Sequence, residues 1–212
     1  DGSRLSSYLI TGGTGSFGAV LMRDLLADPA TSRVACLSRD EEKQRALKVE
    51  IGPDARDRIR FFLGDVRDPD RLRWAMRGCD TVVHAAALKQ VPALEYNARE
   101  ALATNVLGTH NVVEAALRTD SVRRVAMLST DKATAPCNTY GAAKAVAEKL
   151  IVNEGSAKAG RDGPRFMAVR YGNVFASRGS VIHVWRRAVA EGRLISVTDS
   201  RMTRFWITLP EA

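Results

Sequence analysis

Short apolar segments rich in β-branched residues alternate with longer helical segments along this chain. Strands are predicted over residues 8–11, 33–37, 59–63, 81–85, 124–129 and 166–170. Helices are predicted over residues 17–27, 40–51, 98–117, 139–157 and 181–191, and another begins at Asp68-Pro69, with Asp68 as its N-cap. The stretch 155–164, with three glycines and a proline, is predicted as a surface connection. Because such alternation produces a parallel sheet with helices on both faces, the predicted fold class is α/β, a Rossmann-like doubly wound sheet.

The composition favours a globular protein that binds a small anion. Of the 212 residues, 32 are basic and 24 acidic, which leaves a formal net charge of +8. The basic residues are scattered and aromatic residues are only 6%, so a nucleotide is favoured over nucleic acid as the partner. Cys36, Cys79 and Cys137 are an odd, widely spaced set, which favours free thiols over disulfides or a metal site. With no recognisable signal peptide or membrane-spanning run, a cytoplasmic protein without membrane contact is expected.

A glycine-rich loop joins the first predicted strand to the first predicted helix. Three of its glycines permit a tight turn, close approach of a pyrophosphate and close packing of helix on strand. The N-terminus of the helix attracts phosphate through its N–H groups. A glycine turn without a ligand is the alternative interpretation. The loop predicts a dinucleotide site with contacts at Gly12, Thr14, Gly15, Ser16, Phe17 and Gly18.

The ends of the second and third predicted strands bear on the identity of the cofactor. Ser38 and Arg39 suit a 2′-phosphate and therefore favour NADP, whereas Asp40 leaves NAD as the alternative. Asp65, followed by Val66, can accept a hydrogen bond from the adenine amino group. Capping of the following helix explains that aspartate equally well.

The segment after the fourth predicted strand carries small residues that let the backbone pass close to a flat ligand. These are Ala85, Ala86 and Ala87. His84 is expected to be a packed, hydrogen-bonded residue, with a role as acid or base as the weaker alternative. Lys89 suits a phosphorylated substrate beside the cofactor.

The fifth predicted strand and the helix after it carry the most specific pattern. Ser129-Thr130-Asp131-Lys132 ends the strand, and Tyr140 and Lys144 follow at i and i+4, on one face of the helix. An ammonium beside a phenol lowers the pKa of the phenol towards working pH. Tyr140 is therefore predicted to be a general base that accepts a hydroxyl proton while hydride leaves the carbon. A chance pairing of tyrosine and lysine is the alternative.

These motifs resemble the extended short-chain dehydrogenases/reductases. Within that superfamily the chain is similar to the inverting UDP-N-acetylglucosamine 4,6-dehydratases of polysaccharide biosynthesis. The resemblance covers nearly the whole chain and also rests on residues 62–68, 104–109, 170–174, 177–181 and 202–205. It implies NADP, a UDP-sugar substrate and a homo-oligomer. It also implies that residues 1–180 are the NADP-binding Rossmann domain and that residues 181–212 start a substrate-binding region that is largely absent.

The resemblance further implies a role for each site residue. Tyr140 and Lys144, which also contact the cofactor, take the 4-hydroxyl proton as hydride leaves C4, and Thr130 orients the 4-oxygen. Lys132 removes the C5 proton and Asp131 protonates the departing 6-hydroxyl, after which hydride returns to C6. Asn105 is implied to shape the cofactor site. The residues implied to meet the UDP-sugar are Lys89, Tyr171, Asn173, Val181 and Arg204.

Several functions remain open on the sequence. A UDP-sugar 4-epimerase and a 5,6-dehydratase start with the same oxidation at C4. The adjacent Asp131 and Lys132 favour elimination over epimerisation, unless they form only a surface salt bridge. A non-catalytic NADP-binding sensor or scaffold is the alternative from another class, although such proteins typically lose the Tyr/Lys pair. Cys137 and His183 depart from the family pattern, where aliphatic and proline residues are expected.

Overall fold

The computed structural model describes residues 5–175, 180–195, 197 and 199–212. Its main sheet contains the strands β1 (Ser6–Thr11), β2 (Thr31–Ser38), β3 (Ile59–Leu63), β4 (Thr81–His84), β5 (Arg124–Thr130) and β6 (Arg165–Tyr171). They lie in the order β3-β2-β1-β4-β5-β6, and every pair is parallel. The strand order reverses between β1 and β4, and in such sheets ligands bind beyond the carboxyl ends of the strands at that point. The predicted Rossmann-like α/β fold is confirmed.

Helices connect successive strands. They are α1 (Ser16–Ala27), α2 (Glu41–Ile51), α3 (Pro69–Met76), α4 (Val91–Tyr96), α5 (Ala98–Ala101), α6 (Gly108–Leu117), α7 (Thr139–Lys149), α8 (Ser156–Ala159) and α9 (Val181–Ala190). A π-helical turn, Leu102–Leu107, joins α5 to α6, and a second one, Leu150–Gly155, joins α7 to α8. Short 3₁₀ turns cover Pro53–Ala55 and Asp131–Ala133. The two long helices predicted over 98–117 and 139–157 are therefore present, each with a π-helical middle.

Alternation along the strands divides the apolar residues into two layers. Leu9 of β1 packs with Leu72 of α3 and Val112 of α6. The next residue, Ile10, packs instead with Met22 of α1. Because successive side chains of a strand point to opposite faces, the helices cover both faces of the sheet. All of these aliphatic or thioether side chains are fully buried, so β1 lies at the centre of the core.

Local structure departs from the sequence prediction at the stretch 155–164. The chain stays helical through Ala159, so only its later part is a connection. Gly155 packs against Phe166 of β6, where an added Cβ would lie 2.9 Å from a ring carbon. Tertiary packing thus explains a glycine inside a helix. By contrast, Asp68 caps α3 as predicted, since its carboxylate accepts a hydrogen bond from the Arg71 amide at 2.9 Å.

Three further elements were not predicted from the sequence. They are α4 and a small parallel pair, β7 (Asn173–Val174) with β8 (Trp206–Ile207). The strand β8 lies in the part of the chain assigned to the substrate-binding region. Within the described ranges, no helix is both long and apolar enough to cross a lipid bilayer.

Candidate active site

A cavity of about 930 Å³ opens beyond the carboxyl ends of the parallel strands. Most of the predicted site residues line it. Those predicted for the cofactor are Gly12, Thr14, Gly15, Ser16, Phe17, Gly18, Ser38, Arg39, Asp65, Val66, Ala85, Ala86, Ala87 and Tyr140. Those predicted for the substrate or the chemistry are Lys89, Thr130, Lys132, Tyr171, Asn173 and Val181.

The glycine loop forms one wall of this cavity and passes very close to the segment after β4. Gly12 has φ +68°, and an added Cβ would lie 2.8 Å from both N and Cα of Ala86. The helix α1 starts directly after Gly15, which supplies no side-chain cap. Amide groups at the first turn of α1 therefore point to the cavity, where they suit a pyrophosphate. This cradle fits the dinucleotide that the sequence predicts.

Polar side chains at the end of β2 form the region predicted to select the cofactor. Ser38 is buried, and its hydroxyl oxygen accepts a hydrogen bond from Gln44 Nε2 at 2.9 Å, which leaves the hydroxyl proton for another acceptor. Arg39 Nη1 lies 3.5 Å from Asp65 Oδ2, and half of the Arg39 side chain is exposed. Lys43 pairs with Asp40 nearby. A group bound here meets the cation of Arg39, which suits a phosphate, whereas the Ser38 side chain already interacts with the Cys36 thiol.

The carboxylate of Asp65 is held in a turn by its neighbour. Arg67 donates to it from its backbone amide at 3.0 Å and from Nε and Nη2 at 2.9 and 2.8 Å. Burial acts to raise the pKa of Asp65, but these bonds and the positive charges of Arg67 and Arg39 lower the pKa below its usual value. The alternative role of Asp65 as the cap of α3 is wrong, because Asp68 performs that role. The contact with adenine stays a prediction.

His84 is part of the packed interior. It is 1% exposed, its Nδ1 lies 2.7 Å from Thr11 Oγ1, and its Nε2 lies 3.0 Å from Thr109 Oγ1. Thr109 donates its own proton to the Asn105 carbonyl at 2.7 Å, so Nε2 is the protonated ring nitrogen. Burial, with help from the charge of Lys144, lowers the pKa of His84 to about 3. The packed, hydrogen-bonded interpretation therefore describes His84 in this structure.

Asn105 is not among the described residues that line the cavity. It is 1% exposed on the π-helical turn between α5 and α6. Its side-chain oxygen accepts from the Leu88 amide and its side-chain nitrogen donates to the Leu88 carbonyl, both at 2.8 Å. It therefore fixes the backbone between Ala87 and Lys89, which is the position from which it can shape the cofactor site.

A hydrogen-bonded series of side chains crosses the wall between β5 and α7. Thr130 lies beside the phenol of Tyr140, whose pKa it acts to lower, and its hydroxyl donates to Asp131 Oδ1 at 2.9 Å. Lys132 Nζ donates to the same carboxylate oxygen at 3.0 Å and to Asn173 Oδ1 at 3.3 Å. The charge of Lys132 contributes to lowering the pKa of Asp131, against the effect of burial. Because Lys132 lines the cavity and is one-third exposed, this ion pair belongs to the site and not only to the surface.

The Tyr140/Lys144 pair differs from the prediction in one respect. Lys144 is 4% exposed and donates to the Leu128 carbonyl rather than to the phenol. Burial raises the pKa of Tyr140 to about 12, and the neighbouring Tyr171 acts in the same direction. The expected lowering of this pKa by Lys144 is therefore not found in this structure. Burial lowers the pKa of Lys144 to about 8.

The substrate side of the cavity is only partly formed by the predicted residues. Tyr171 stacks on Phe17 with ring centroids 6.4 Å apart. Arg204 is exposed, donates to the Thr203 carbonyl at 2.7 Å and is absent from the cavity lining as far as the chain is described. Residues 177–179 of the family pattern lie outside the described residues.

Several lining residues were given no role from the sequence, although some of them stand in segments that carry the resemblance. They are Leu37, Lys43, Gly64, Gln90, Val91, Thr104, Leu128, Gly172, Val174, Ser180, Trp206 and Leu209. For Lys43 the signal was present, since it lies one turn into the helix that follows Arg39. Trp206 and Leu209 carried none, because only the pairing of β8 with β7 brings them to the cavity.

The strand order, the glycine cradle and the Tyr/Lys helix together define a Rossmann-like protein of the short-chain dehydrogenase/reductase class. Comparison with known sequences is more specific. The chain belongs to the polysaccharide biosynthesis protein family, whose profile matches residues 8–212. The resemblance stated from the motifs is thereby confirmed.

Individual relatives are enzymes of nucleotide-sugar chemistry. The chain is 45% identical over 206 residues to a UDP-N-acetylglucosamine 4,6-dehydratase (inverting) of Campylobacter jejuni, and 44% identical over 210 residues to a UDP-glucose 4-epimerase of Rickettsia akari. Each alignment covers 97% of this chain and 60% of the relative, so the chain spans less than two thirds of their length.

Solved structures agree with this assignment. Pen from Bacillus thuringiensis matches with a TM-score of 0.92 and 40% identity, over 99% of this chain and 65% of that one. DesIV, a dTDP-glucose 4,6-dehydratase from Streptomyces venezuelae solved with NAD and TYD bound, matches with a TM-score of 0.82 and 27% identity, over 96% of this chain and 68% of its own.

Proposed function

We propose that the protein is an NADP-dependent nucleotide-sugar dehydratase that converts UDP-N-acetylglucosamine to a 4-keto-6-deoxy sugar. The observation that carries this proposal is that Tyr140, Thr130 and Lys132 line one cavity, with Asp131, which is not itself in the lining, bonded to both Thr130 and Lys132. It places a phenol, a carboxylate and an ammonium beside each other, which are the acid and base groups that oxidation and elimination on a single sugar require. Retention of Tyr140 and Lys144 also speaks against a non-catalytic sensor or scaffold.

In the first step Tyr140 accepts the proton of the 4-hydroxyl while the C4–H bond breaks, which leaves a ketone at C4. When bound, a nicotinamide would supply the acceptor for the hydride from C4 and, later, the source of the hydride for C6. Thr130, which lies beside Tyr140, orients the oxygen at C4. The phenol needs a nearby positive charge to work as a base, because its pKa of about 12 otherwise favours the neutral form at neutral pH. Lys144, one helical turn further on, is the residue that supplies this charge.

The second step removes water across C5 and C6. The C4 ketone acidifies the proton on C5, and Lys132 Nζ removes that proton. Asp131 transfers a proton to the departing 6-hydroxyl, which leaves as water. Return of hydride to C6 and of a proton to C5 completes a 4-keto-6-deoxy sugar with no net change in oxidation state. These roles require that a proton first pass from Lys132 to Asp131, across the 3.0 Å that separates the two groups and against the lowered pKa of Asp131.

The choice of NADP over NAD is part of the proposal. Arg39 and the Ser38 hydroxyl lie where the ribose 2′-position of a dinucleotide is expected, and Lys43 adds a second cation to the cavity lining. Asp40 and Asp65 neutralise these cations in part, at Lys43 and Arg39 respectively. A 2′-phosphate competes for the cations, whereas a 2′-hydroxyl does not.

The division into residues 1–180 and 181–212 is also proposed, as the cofactor domain and the start of the substrate region. Val181, Trp206 and Leu209 from the second part line the same cavity as the glycine loop. The substrate is thus expected to lie between the two parts. A homo-oligomer in the cytoplasm is the assembly and location that the resemblance implies.

A UDP-sugar 4-epimerase is the second candidate, and the 44% identical Rickettsia akari relative of that name favours it. A 5,6-dehydratase is the third. Both share the oxidation at C4 but differ in the later steps. An epimerase needs no base for C5, so Lys132 would have no chemical step to perform in it.

The products distinguish the candidates. The protein is incubated with NADP and UDP-N-acetylglucosamine in deuterated water, and the products are observed by NMR. The proposal expects a C6 methyl signal, loss of the C6 hydroxymethyl and deuterium at C5. A sugar changed only in configuration at C4 would establish the epimerase instead, and a 5,6-alkene would establish the 5,6-dehydratase.

A further inference from the structure

One face of α7 carries three ionisable side chains in a row. Tyr140, Lys144 and Glu148 recur at intervals of four residues, so they lie one above the other along the helix. Lys144 is 4% exposed and Glu148 is 8% exposed. Two oppositely charged groups are therefore buried one turn apart directly below the phenol, and the proposed chemistry assigns no role to Glu148.

Glu148 is fixed at both carboxylate oxygens. Arg170 of β6 donates from Nε to Oε1 at 2.8 Å and from Nη2 to Oε2 at 2.6 Å, the two-pronged geometry that holds a carboxylate most firmly. The Ser129 hydroxyl also donates to Oε1. Ser129 stands between Leu128, whose carbonyl accepts from Lys144, and Thr130, which lies beside Tyr140. The anchors of Glu148 are thus built into the same strand that positions the other two groups.

Burial disfavours the charged form of the Lys144 side chain. Desolvation favours the neutral amine and brings the pKa of Lys144 down to about 8, while the negative charge of Glu148 acts to raise it. Arg170 and Ser129 lower the pKa of Glu148, so that this carboxylate keeps its charge despite its position. A neutral lysine can neither stabilise a phenolate nor donate three hydrogen bonds.

Other ionisable groups around Lys144 do not substitute for Glu148. His84 on β4 is neutral at ordinary pH, because burial lowers its pKa to about 3. The 3₁₀ turn after β5 carries Asp131, which is already paired with Lys132. The remaining charged or titratable groups on elements packed against α7 are Glu95 and Tyr96 of α4, Arg99 and Glu100 of α5, Arg124 of β5, and Glu154 of the π-helical turn that follows α7. Glu95 is bonded to the Thr139 amide at the start of α7.

We propose that Glu148, held by Ser129 and Arg170, is a positioning residue that keeps the buried Lys144 ammonium protonated beneath the cavity. Arg170 has a double effect in this arrangement, since it holds the carboxylate in place and offsets part of its charge. The catalytic consequence rests on the proposed function, but the coupling of Glu148 to Lys144 does not depend on that function.

The coupling is measured directly, without turnover. Lysine residues are labelled with ¹³C at Cε, and the Lys144 signal is identified by its loss in Lys144→Met. Its titration midpoint is compared between the wild type and Glu148→Gln, which keeps the shape of the side chain and removes the charge. We expect the midpoint to fall by about one pH unit, roughly a tenfold change in the protonation equilibrium. Glu148→Asp, which keeps the charge, is expected to titrate above Glu148→Gln.

Two further variants separate a charge effect from loosened packing. Glu154→Gln removes a carboxylate from the same continuous helix, where it pairs with Lys158, and is expected to leave the Lys144 midpoint unchanged. Arg170→Gln removes the charge that offsets Glu148 and is expected to raise the midpoint. Loosened packing would move the midpoint in the same direction in Glu148→Gln and Arg170→Gln.

The proposal is overturned if Glu148→Gln titrates like the wild type, or if Arg170→Gln and Glu148→Gln shift Lys144 in the same direction. If the Lys144 midpoint shifts as expected but the protein turns over no sugar, the coupling stands and only the proposed function is contradicted. Where turnover is found, the dependence of kcat on pH provides a control. The apparent pKa of its acid limb should not move in Glu154→Gln.

Discussion

Two buried bases, His84 and Lys144, interact electrostatically, and the structure drives them to opposite protonation states at neutral pH. His84 is neutral because both of its ring nitrogens are bonded to threonine hydroxyls and burial disfavours its charged form. Lys144 stays largely protonated because Glu148 lies one turn away. The charge of Lys144 further disfavours a proton on His84. A single positive charge is thus concentrated where the proposed phenolate forms.

The neutrality of His84 predicts a measurable dependence of stability on pH. The unfolded chain takes up a proton on His84 near pH 6.5, whereas the folded chain does so only near pH 3. Between these values the unfolded state binds more protons, so the free energy of unfolding rises with pH, by about 1 kcal/mol per pH unit between pH 5 and 6. Urea denaturation at several pH values should show this slope in the wild type and a smaller slope in His84→Asn. An equal slope in both would show that His84 carries its proton in the folded state.

The two proposed bases predict a separation of oxidation from elimination. Tyr140→Phe removes the base for the first step, so neither reduced cofactor nor product should form. Lys132→Ala leaves Tyr140 in place and should lower the dehydration rate by roughly 10²–10⁴ while reduced cofactor accumulates, as seen by its near-ultraviolet absorbance. Exchange of the C5 proton with deuterated solvent should slow by a similar factor. Dehydration by Lys132→Ala at the wild-type rate would reduce Lys132 to a structural partner of Asp131.

Among the elements, the β1–loop–α1 unit does most to build the cavity. It requires the backbone of Gly12 to lie almost in contact with Ala86 in the segment after β4. That approach joins the two strands at which the sheet order reverses. The cofactor cradle is therefore a product of the pairing between β1 and β4, and not of the glycine loop alone.

This close approach predicts different costs for two glycine substitutions. Gly12 and Gly52 have similar positive φ values, +68° and +81°, but an added Cβ at Gly52 meets nothing within 4 Å. Gly52 has ψ 179°, a region that essentially only glycine adopts, so Gly52→Ala should cost roughly 1–3 kcal/mol of stability through backbone strain alone. Gly12→Ala should cost roughly 1–3 kcal/mol more through the contact with Ala86, and it should weaken dinucleotide binding. Denaturation and calorimetry on both variants provide the check, and equal effects would show that the contact with Ala86 is not the cause.

The sequence predicts elements well where the signal is local. The β1 strand, its glycine loop and the Asp68 cap each depend on neighbours within a few residues, and all are found. The prediction fails where distant residues decide. Gly155 remains helical because Phe166 packs against it, and Trp206 reaches the cavity through pairing with Asn173.

The pKa of Tyr140 is a similar case at the level of a single helix. The i, i+4 spacing of Tyr140 and Lys144 predicts a lowered pKa for the phenol, because it shows which residues share a face. The spacing reveals neither the burial of the phenol nor the bond from Lys144 to the Leu128 carbonyl. Both depend on how α7 packs against β5, so the sequence alone could not predict the direction of the shift.

At the scale of the whole molecule, a net charge of +8 accompanies a cavity that suits an anionic dinucleotide. The glycine loop, the end of β2 and the segment after β4 each contribute to that cavity. A ligand that bridges them binds only the folded chain. Cofactor binding and global stability are therefore linked.

That linkage predicts which cofactor stabilises the protein more. NADP at about one hundred times its Kd should raise the free energy of unfolding by about 2.7 kcal/mol. For a chain of this length the corresponding rise in Tm is about 5–10 °C. NAD at the same concentration should raise Tm less, and Arg39→Ala should remove most of the difference, since a charge-assisted bond contributes about 1.5–3 kcal/mol. Equal shifts with both cofactors in the wild type would contradict the role of Arg39.

The position of β1 in the sheet also has a consequence for synthesis on the ribosome. β2 and β3 leave the exit tunnel soon after β1 and can pair beside it, but its other neighbour, β4, begins only at Thr81. During that interval one edge of β1 has no partner, although it is the edge on which the cofactor cradle will form. Exposed strand edges invite pairing with other chains. The nascent chain thus exposes an unpaired edge of β1 until the segment from Leu63 to His84 has emerged, and a chaperone that covers β1 would act in that interval.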